Sequence, residues 1–159
     1  NTEGWVDLRP AQGAFVHEPT DEEADQLLTV RTLLEAEAAR LAAANAGSAG
    51  VAVLEELCAL GESAVAADDV DAAVALNARL HATVMELAGN AVLAELAGQV
   101  DRRVRWYYTP IARQRGQQSW IEHRELIAAI ADRDEQRATE LMREHTEHTR
   151  TSYHARRRS

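Results

Sequence analysis

The chain is expected to be all-α, an antiparallel bundle of about six helices behind a short N-terminal β-hairpin. Three observations point there. Hydrophobic residues make up 46% of the 159, enough for one buried core, yet aromatics are only 4%. Much of the apolar share is alanine, and three prolines are all that interrupt strong helix formers such as Ala, Leu, Glu and Arg. Along most of the chain the apolar residues recur at steps of three and four, the period of a helix with one face on a core.

The first nineteen residues do not share that period. In WVDLRPAQGAFV, residues Val6, Leu8, Phe15 and Val16 flank a turn containing Pro10 and Gly13, the pattern of a β-hairpin. A lone two-stranded hairpin is marginal in water. It is expected either to dock as an ornament or to be the surviving end of another domain, and a start at Asn1 without Met favours the second.

Helical signals then follow in order. Thr20-Asp21-Glu22-Glu23 is a capping box, opening a helix to about Asn45 that stops at Gly47. A second helix spans about Gly50 to Ala67, with Val53, Leu54, Leu57, Leu60 and Ala64 inward. Asp68 or Asp69 caps the third, which ends at the Gly89-Asn90 C-cap signal. The fourth covers about Ala91 to Tyr108, where Pro110 should disrupt it, and a polar loop follows over Arg113 to Gln118. Ser119-Trp120-Ile121-Glu122 reads as a second capping box, opening the fifth helix to about Asp132. Asp134 caps the sixth, which reaches about Tyr153.

Composition excludes several roles. A formal net charge of −9 argues against this segment as the main nucleic-acid surface, which needs clustered Lys and Arg. The run Arg156, Arg157, Arg158 reads as a solvated tail. A single cysteine, Cys58, excludes an intrachain disulfide framework and reads as a small buried hydrophobe. No run approaches the roughly 18 apolar residues that span a bilayer, and no signal-peptide pattern opens the chain, so it reads as cytoplasmic.

Six histidines are present, of two kinds. His17, His148 and His154 read as surface residues. The others lie on apolar stripes: His81 with Val74, Ala78, Met85 and Ala88; His123 with Trp120, Ile127 and Ile130; His145 with Ala138, Leu141 and Met142. Asn77 sits one turn before His81 on the same face. A buried polar group is costly unless it finds a partner. Neutral imidazole suits divalent Zn, Ni, Co, Mn or Fe, and a spacing of four lets two side chains share one ion. The set Asn77, His81, His123 and His145 would leave positions for water or a ligand's oxygens. Internal satisfaction of each ring by a carbonyl or hydroxyl is the alternative.

Two arginines also sit on apolar stripes: Arg31 with Leu27, Leu34, Ala38 and Leu41, and Arg103 with Leu93, Leu96, Val100 and Tyr107. A buried guanidinium needs an anionic or multiply accepting partner. Either it pairs internally, for Arg31 with Glu35 or Glu37, or it forks onto the carboxylate of a bound organic acid.

The stretches VRTLLEAEAARLAA, NARLHATVMELAGNAVLAEL, EHRELIAAIADRD and ATELMREH together resemble the C-terminal ligand-binding and dimerisation (FCD) domain of GntR-type transcription regulators, FadR subfamily, over about Leu27 to His145. GWVDLRPAQGAFV similarly resembles the wing that ends the family's winged helix-turn-helix. The resemblance implies residues 1–19 as the end of a DNA-binding domain and 20–159 as an effector-binding helical domain that forms a homodimer. It implies a divalent metal, zinc or nickel first and manganese, cobalt or iron after them, on Asn77, His81, His123 and His145. Asn77 stands where the commoner pattern has Asp. It implies a small organic acid near Arg31 and Arg103, and operator DNA read mainly by the upstream domain. The wing has Ala11-Gln12-Gly13 in place of the family's frequent Gly-Arg-Gly, leaving Arg9 as its DNA contact.

A sensor domain, not an enzyme, is therefore the expectation. A metal-dependent hydrolase would use the same three imidazoles, but Glu122 is placed by helical period on another face than His123, leaving no evident general base. A purely structural bundle would satisfy its polar groups internally and bind neither metal nor small molecule.

Overall fold

The computed structural model describes residues 6–9, 13–16 and 20–157, with the side chains of 6–9, 16, 104–110, 112–113 and 157 outside the described set. The hairpin is present: β1 (Val6–Arg9) pairs antiparallel with β2 (Gly13–Val16), in a register that sets Val6 opposite Val16 and Arg9 opposite Gly13. Gly13 enters β2 at φ 104°, an angle that glycine takes without a Cβ penalty. Pro10, Ala11, Gln12 and His17 lie outside the described residues, as does the side chain of Arg9.

Five helices follow, each started by local chemistry. In α1 (Asp21–Asn45) the Glu23 amide donates to Thr20 Oγ1 at 3.2 Å and the Thr20 amide to Glu23 Oε2 at 2.8 Å, the expected capping box. Helix α2 (Ser48–Ala66) begins two residues before Gly50, directly after Gly47. Asp69 caps α3 (Val70–Leu87) by accepting from Ala72 N at 3.0 Å. Asn90 does the same for α4 (Ala91–Ala131) through Leu93 N at 3.1 Å. For α5 (Glu135–Arg157), Asp134 accepts from Arg137 N at 2.9 Å, and the helix runs past the expected end at Tyr153.

The expected fourth and fifth helices are joined. No polar loop separates them at Arg113 to Gln118, and Ser119 lies within α4 instead of capping a new helix. The backbone continues helically past Pro110 and departs from helical angles at Gly116, with φ 36° and ψ −124°. Proline removes one backbone donor, a loss that the packing of α4 against α1 and α5 can offset. The break falls where glycine admits angles that side-chain-bearing residues rarely adopt. Counted as rods, α4 is two, which restores the expected six.

Alanines on one face of α1 (Ala36, Ala38, Ala39, Ala42 and Ala43, none more than 1% exposed) let α3, α4 and α5 approach it closely. Leu54, Leu80, Val84, Leu126, Ile130 and Met142 fill the main core around them. A smaller cluster of Ala24, Leu28, Ile111 and Tyr153 joins α1, α4 and α5 elsewhere. Three expected core residues are exposed instead: Val53 at 44% and Leu60 at 49% on α2, and Leu96 at 47% on α4. Among the described residues helix α2 packs on α3 and α4 alone, and it buries a narrow line through Leu54, Cys58, Gly61 and Ala64. On α3 the fully buried line runs through Leu80, His81, Val84 and Ala88, beside the expected Val74 and Ala78, which are half-buried. Gly61 has a steric role: a Cβ there would meet the Trp120 ring at 2.0 Å, so α2 rests directly on that indole. Among the described residues no helix is long and apolar enough to cross a membrane.

Candidate metal centre

His81 on α3, His123 on α4 and His145 on α5 converge, as their stripes predicted. They are 6%, 0% and 5% exposed, and one ring nitrogen of each lies within 4.8 Å of the other two. His81 Nε2 and His123 Nε2 are 3.2 Å apart. Two nitrogens bound to one ion at about 2.1 Å stand roughly 3.0 to 3.4 Å apart for bond angles between 90° and tetrahedral. The pair therefore already has a shared-ligand spacing. Trp120, edge-on to His123 at 4.9 Å between centroids, fixes that ring from the α2 side.

Behind two of the rings stand carboxylates. His145 Nδ1 is 2.8 Å from Glu122 Oε2, leaving Nε2 as the nitrogen that can face the cluster. Nδ1 of His81 stands 3.1 Å from Glu35 Oε2, an ion-pair distance without hydrogen-bond alignment. A carboxylate on the outer nitrogen of a ligating histidine fixes its tautomer and raises its basicity. The third ring, His123, is completely buried with Nδ1 unpartnered. At 3.2 Å the Nε2 atoms of His81 and His123 can share one proton in a hydrogen bond, or a cation can engage both lone pairs at once. The donor set fits a divalent transition metal.

Electrostatics favour the neutral form of His123 and His145. Burial pushes His123 well below its ordinary value, and the nearby His145 and His81 push the same way. Burial also lowers His145, to about 4, against the opposing pull of Glu122. For both carboxylates burial alone would raise the pKa, and it is outweighed. Arg31, then His81, hold Glu35 far below the carboxylate range; His145 and Arg115 hold Glu122 at about 2.

The remaining expected site residues separate. Asn77, half-buried one turn before His81, lines a cavity beside His145 with Arg115, Ser119, Trp120 and Thr149. Arg31 donates from Nε to Glu35 Oε1 at 2.7 Å, so of its two proposed acidic partners the structure selects Glu35, while Glu37 pairs with Arg40. Arg31 thus reaches the histidines through Glu35 and is not in the cavity lining. Arg103 is half-buried and also outside that lining. Glu122 is a correction: the expectation set it apart from the cluster, yet it contacts His145. It does so from α4, reading a neighbour on α5 rather than its own chain neighbour His123. Its place is behind Nδ1 of His145, the nitrogen turned away from the cluster, which makes it a positioning group. Two expected surface histidines have acidic partners, His148 on Glu122 and His154 on Asp25.

Sequence reasoning passed over Arg115. Its Nη1 donates to the His145 carbonyl at 3.0 Å and to Thr149 Oγ1 at 2.5 Å, and its Nη2 pairs with Glu122. It fell in the expected loop, where a polar residue raises no question; its period relative to Glu122, seven residues on, was the available signal.

This fold and site define a helical ligand-binding domain with an internal polar centre. Residues 26–148 match the FCD domain, and the chain belongs to that family, the ligand-binding domain of GntR-type transcription regulators; it is not an enzyme. Solved structures agree on the fold. E. coli McbR/YncC superposes with a TM-score of 0.89 at 18% identity, over 98% of this chain and 79% of that one. A GntR protein of Streptococcus agalactiae gives 0.75 at 23% identity, over 95% and 76%. A GntR-type regulator of Rhodococcus sp. RHA1 gives 0.76 at 19%, over 97% and 74%. Comparison with curated proteins finds no match.

Proposed function

We propose that this chain is the metal-dependent, organic-acid-sensing part of a cytoplasmic DNA-binding regulator. In this reading residues 20–159 form the sensing and dimerising domain, and residues 1–19 are the wing of a DNA-binding domain, with Arg9 touching DNA. The observation that carries it is the meeting of three buried imidazoles from three helices, two of them backed by carboxylates.

His81, His123 and His145 would hold the ion, with Asn77 as a neutral fourth donor. Zinc or nickel suits nitrogen-rich donors best, ahead of manganese, cobalt and iron. When bound, such an ion supplies a Lewis-acid position that a carboxylate can occupy. The protein's own part is to set the tautomers of two of the three rings: Glu35 behind His81, itself set by Arg31, and Glu122 behind His145. Because the rings belong to α3, α4 and α5, a guest that prefers one packing of these helices shifts the equilibrium between packings by its differential affinity. Arg103 would act on the effector from outside the described cavity lining. Dimerisation is supported by apolar residues left in water on two helices that touch: Val30 and Leu33 on α1, Val92 and Leu96 on α4.

Elemental analysis of the purified chain beside His123→Ala tests the metal. Close to one divalent ion per chain in the parent, lost in the variant, is the expected result. A parent still empty after dialysis against zinc and nickel would remove the metal from this reading.

A further inference from the structure

The cavity beside His145 has an asymmetry of charge. Of its described lining residues, Arg115 is the one with a full charge, while its carboxylate partner Glu122 is not in the lining. Arg115 thus borders the cavity, with its guanidinium on the His145 carbonyl, Thr149 and Glu122, while that counter-ion stands outside the lining. Around it the wall offers an amide from Asn77, hydroxyls from Ser119 and Thr149, and the apolar surfaces of Ile111 and Trp120. Such a wall suits a small anion with a short hydrocarbon body.

Glu122 is also unusually well supplied. Oε2 meets both Arg115 and His145 Nδ1, and Oε1 meets His148 Nδ1 at 2.8 Å. If Arg115 turned toward a guest, Glu122 would keep two imidazoles. Arg31 and Glu35 are buried to a similar degree, but neither borders the cavity. The break at Gly116 directly follows Arg115 and is itself part of the cavity wall, so the backbone bearing this arginine is not held in an unbroken helical ladder.

We infer that Arg115 is the residue that recognises a carboxylate in this cavity, exchanging Glu122 for the guest. This rests on the organic-acid reading above and deepens it by assigning the anchoring residue and the guest's size. The cavity, about 40 Å³, has room for roughly three water-sized groups, that is, a carboxylate head and little more. Larger acids would require the wall at Gly116 to move.

Acetate and malonate, titrated into the metal-loaded chain and followed by NMR, test this directly. Binding is expected to weaken at least tenfold in Arg115→Gln and by a smaller factor in Arg115→Lys, which keeps the charge but loses the fork. Circular dichroism establishes that each variant is folded, and Arg115→Lys decides the matter should Arg115→Gln fail to fold. Unchanged binding in a folded Arg115 variant, loss confined to Arg103→Gln, or no binding of either anion by the parent would each overturn the inference. Arg115-dependent malonate binding that persists in metal-stripped protein would uphold it while removing the metal from the proposed function.

Discussion

Two buried guanidinium–carboxylate pairs flank the histidine cluster, and they are built for different ends. Arg31 and Glu35 lie four apart on one helix, both almost wholly excluded from water, with Glu35 turned toward His81. Arg115 and Glu122 lie seven apart across the Gly116 break, with one member on a cavity and the other shared with the exposed His148. Removing one partner of a sealed pair strands a charge in low dielectric, whereas the second pair has other donors and acceptors nearby. The same chemistry thus makes a brace on one side of the cluster and an exchangeable contact on the other.

The sharpest way to break this comparison is to neutralise each carboxylate in turn. Glu35→Gln removes the carboxylate that Arg31 Nε contacts and should cost about 3 to 5 kcal/mol of folding stability. Glu122→Gln should cost roughly 1 to 2 kcal/mol, because Arg115 keeps the His145 carbonyl and Thr149. Urea unfolding of both variants measures the gap, and equal losses would show that the two pairs do the same job.

Acidification of chelator-treated protein sharpens the comparison next. His145 is held at about 4 against an ordinary 6.5, so between those values the unfolded chain binds a proton that the folded chain refuses. Stability should therefore be full above pH 6.5 and fall as the pH drops toward 4, with buried His123 adding to the loss in the same direction. Glu122, held at about 2 against 4.5, acts lower down: its contribution is present above 4.5 and is lost as pH falls toward 2. A urea midpoint that stays level from pH 7 to pH 5 would contradict the burial of these rings.

The smallest effect belongs to a surface pair of the same kind. Asp25 accepts from Arg150 Nε at 2.8 Å and from His154 at 2.7 Å, and hydrogen bonds from both lower its pKa. Its side chain is 38% exposed. Asp25→Asn should change stability by no more than about 1 kcal/mol, screened further by salt. Thermal unfolding at low and high salt would check this; a loss as large as that of Glu122→Gln would mean that exposure does not separate the pairs.

Much of the histidine cluster was legible in the sequence. His81, His123 and His145 announced themselves as polar residues on apolar stripes, a local signal set by the 3.6-residue period. The groups that hold the rings were not so legible. Glu35 was named as a partner for Arg31, yet its approach to His81 depends on α1 lying against α3. Glu122 was placed on the wrong side because its relation to His123 along α4 says nothing of its relation to His145 on α5.

By itself, then, the sequence determined what short-range chemistry decides: the caps at Thr20 and Asp134, a cap at Asp68 or Asp69, a hairpin turning between Leu8 and Phe15, and the faces bearing the three histidines. Each depends on hydrogen bonds or periodicity within a few residues. Tertiary structure decided the rest. It carried α4 helically past Pro110 to break at Gly116, left Val53, Leu60 and Leu96 in water at the edges of the bundle, and chose which carboxylate stands behind which ring. Those outcomes turn on which helix faces lie side by side, a choice made by the burial of the whole core and by no stretch of chain within it.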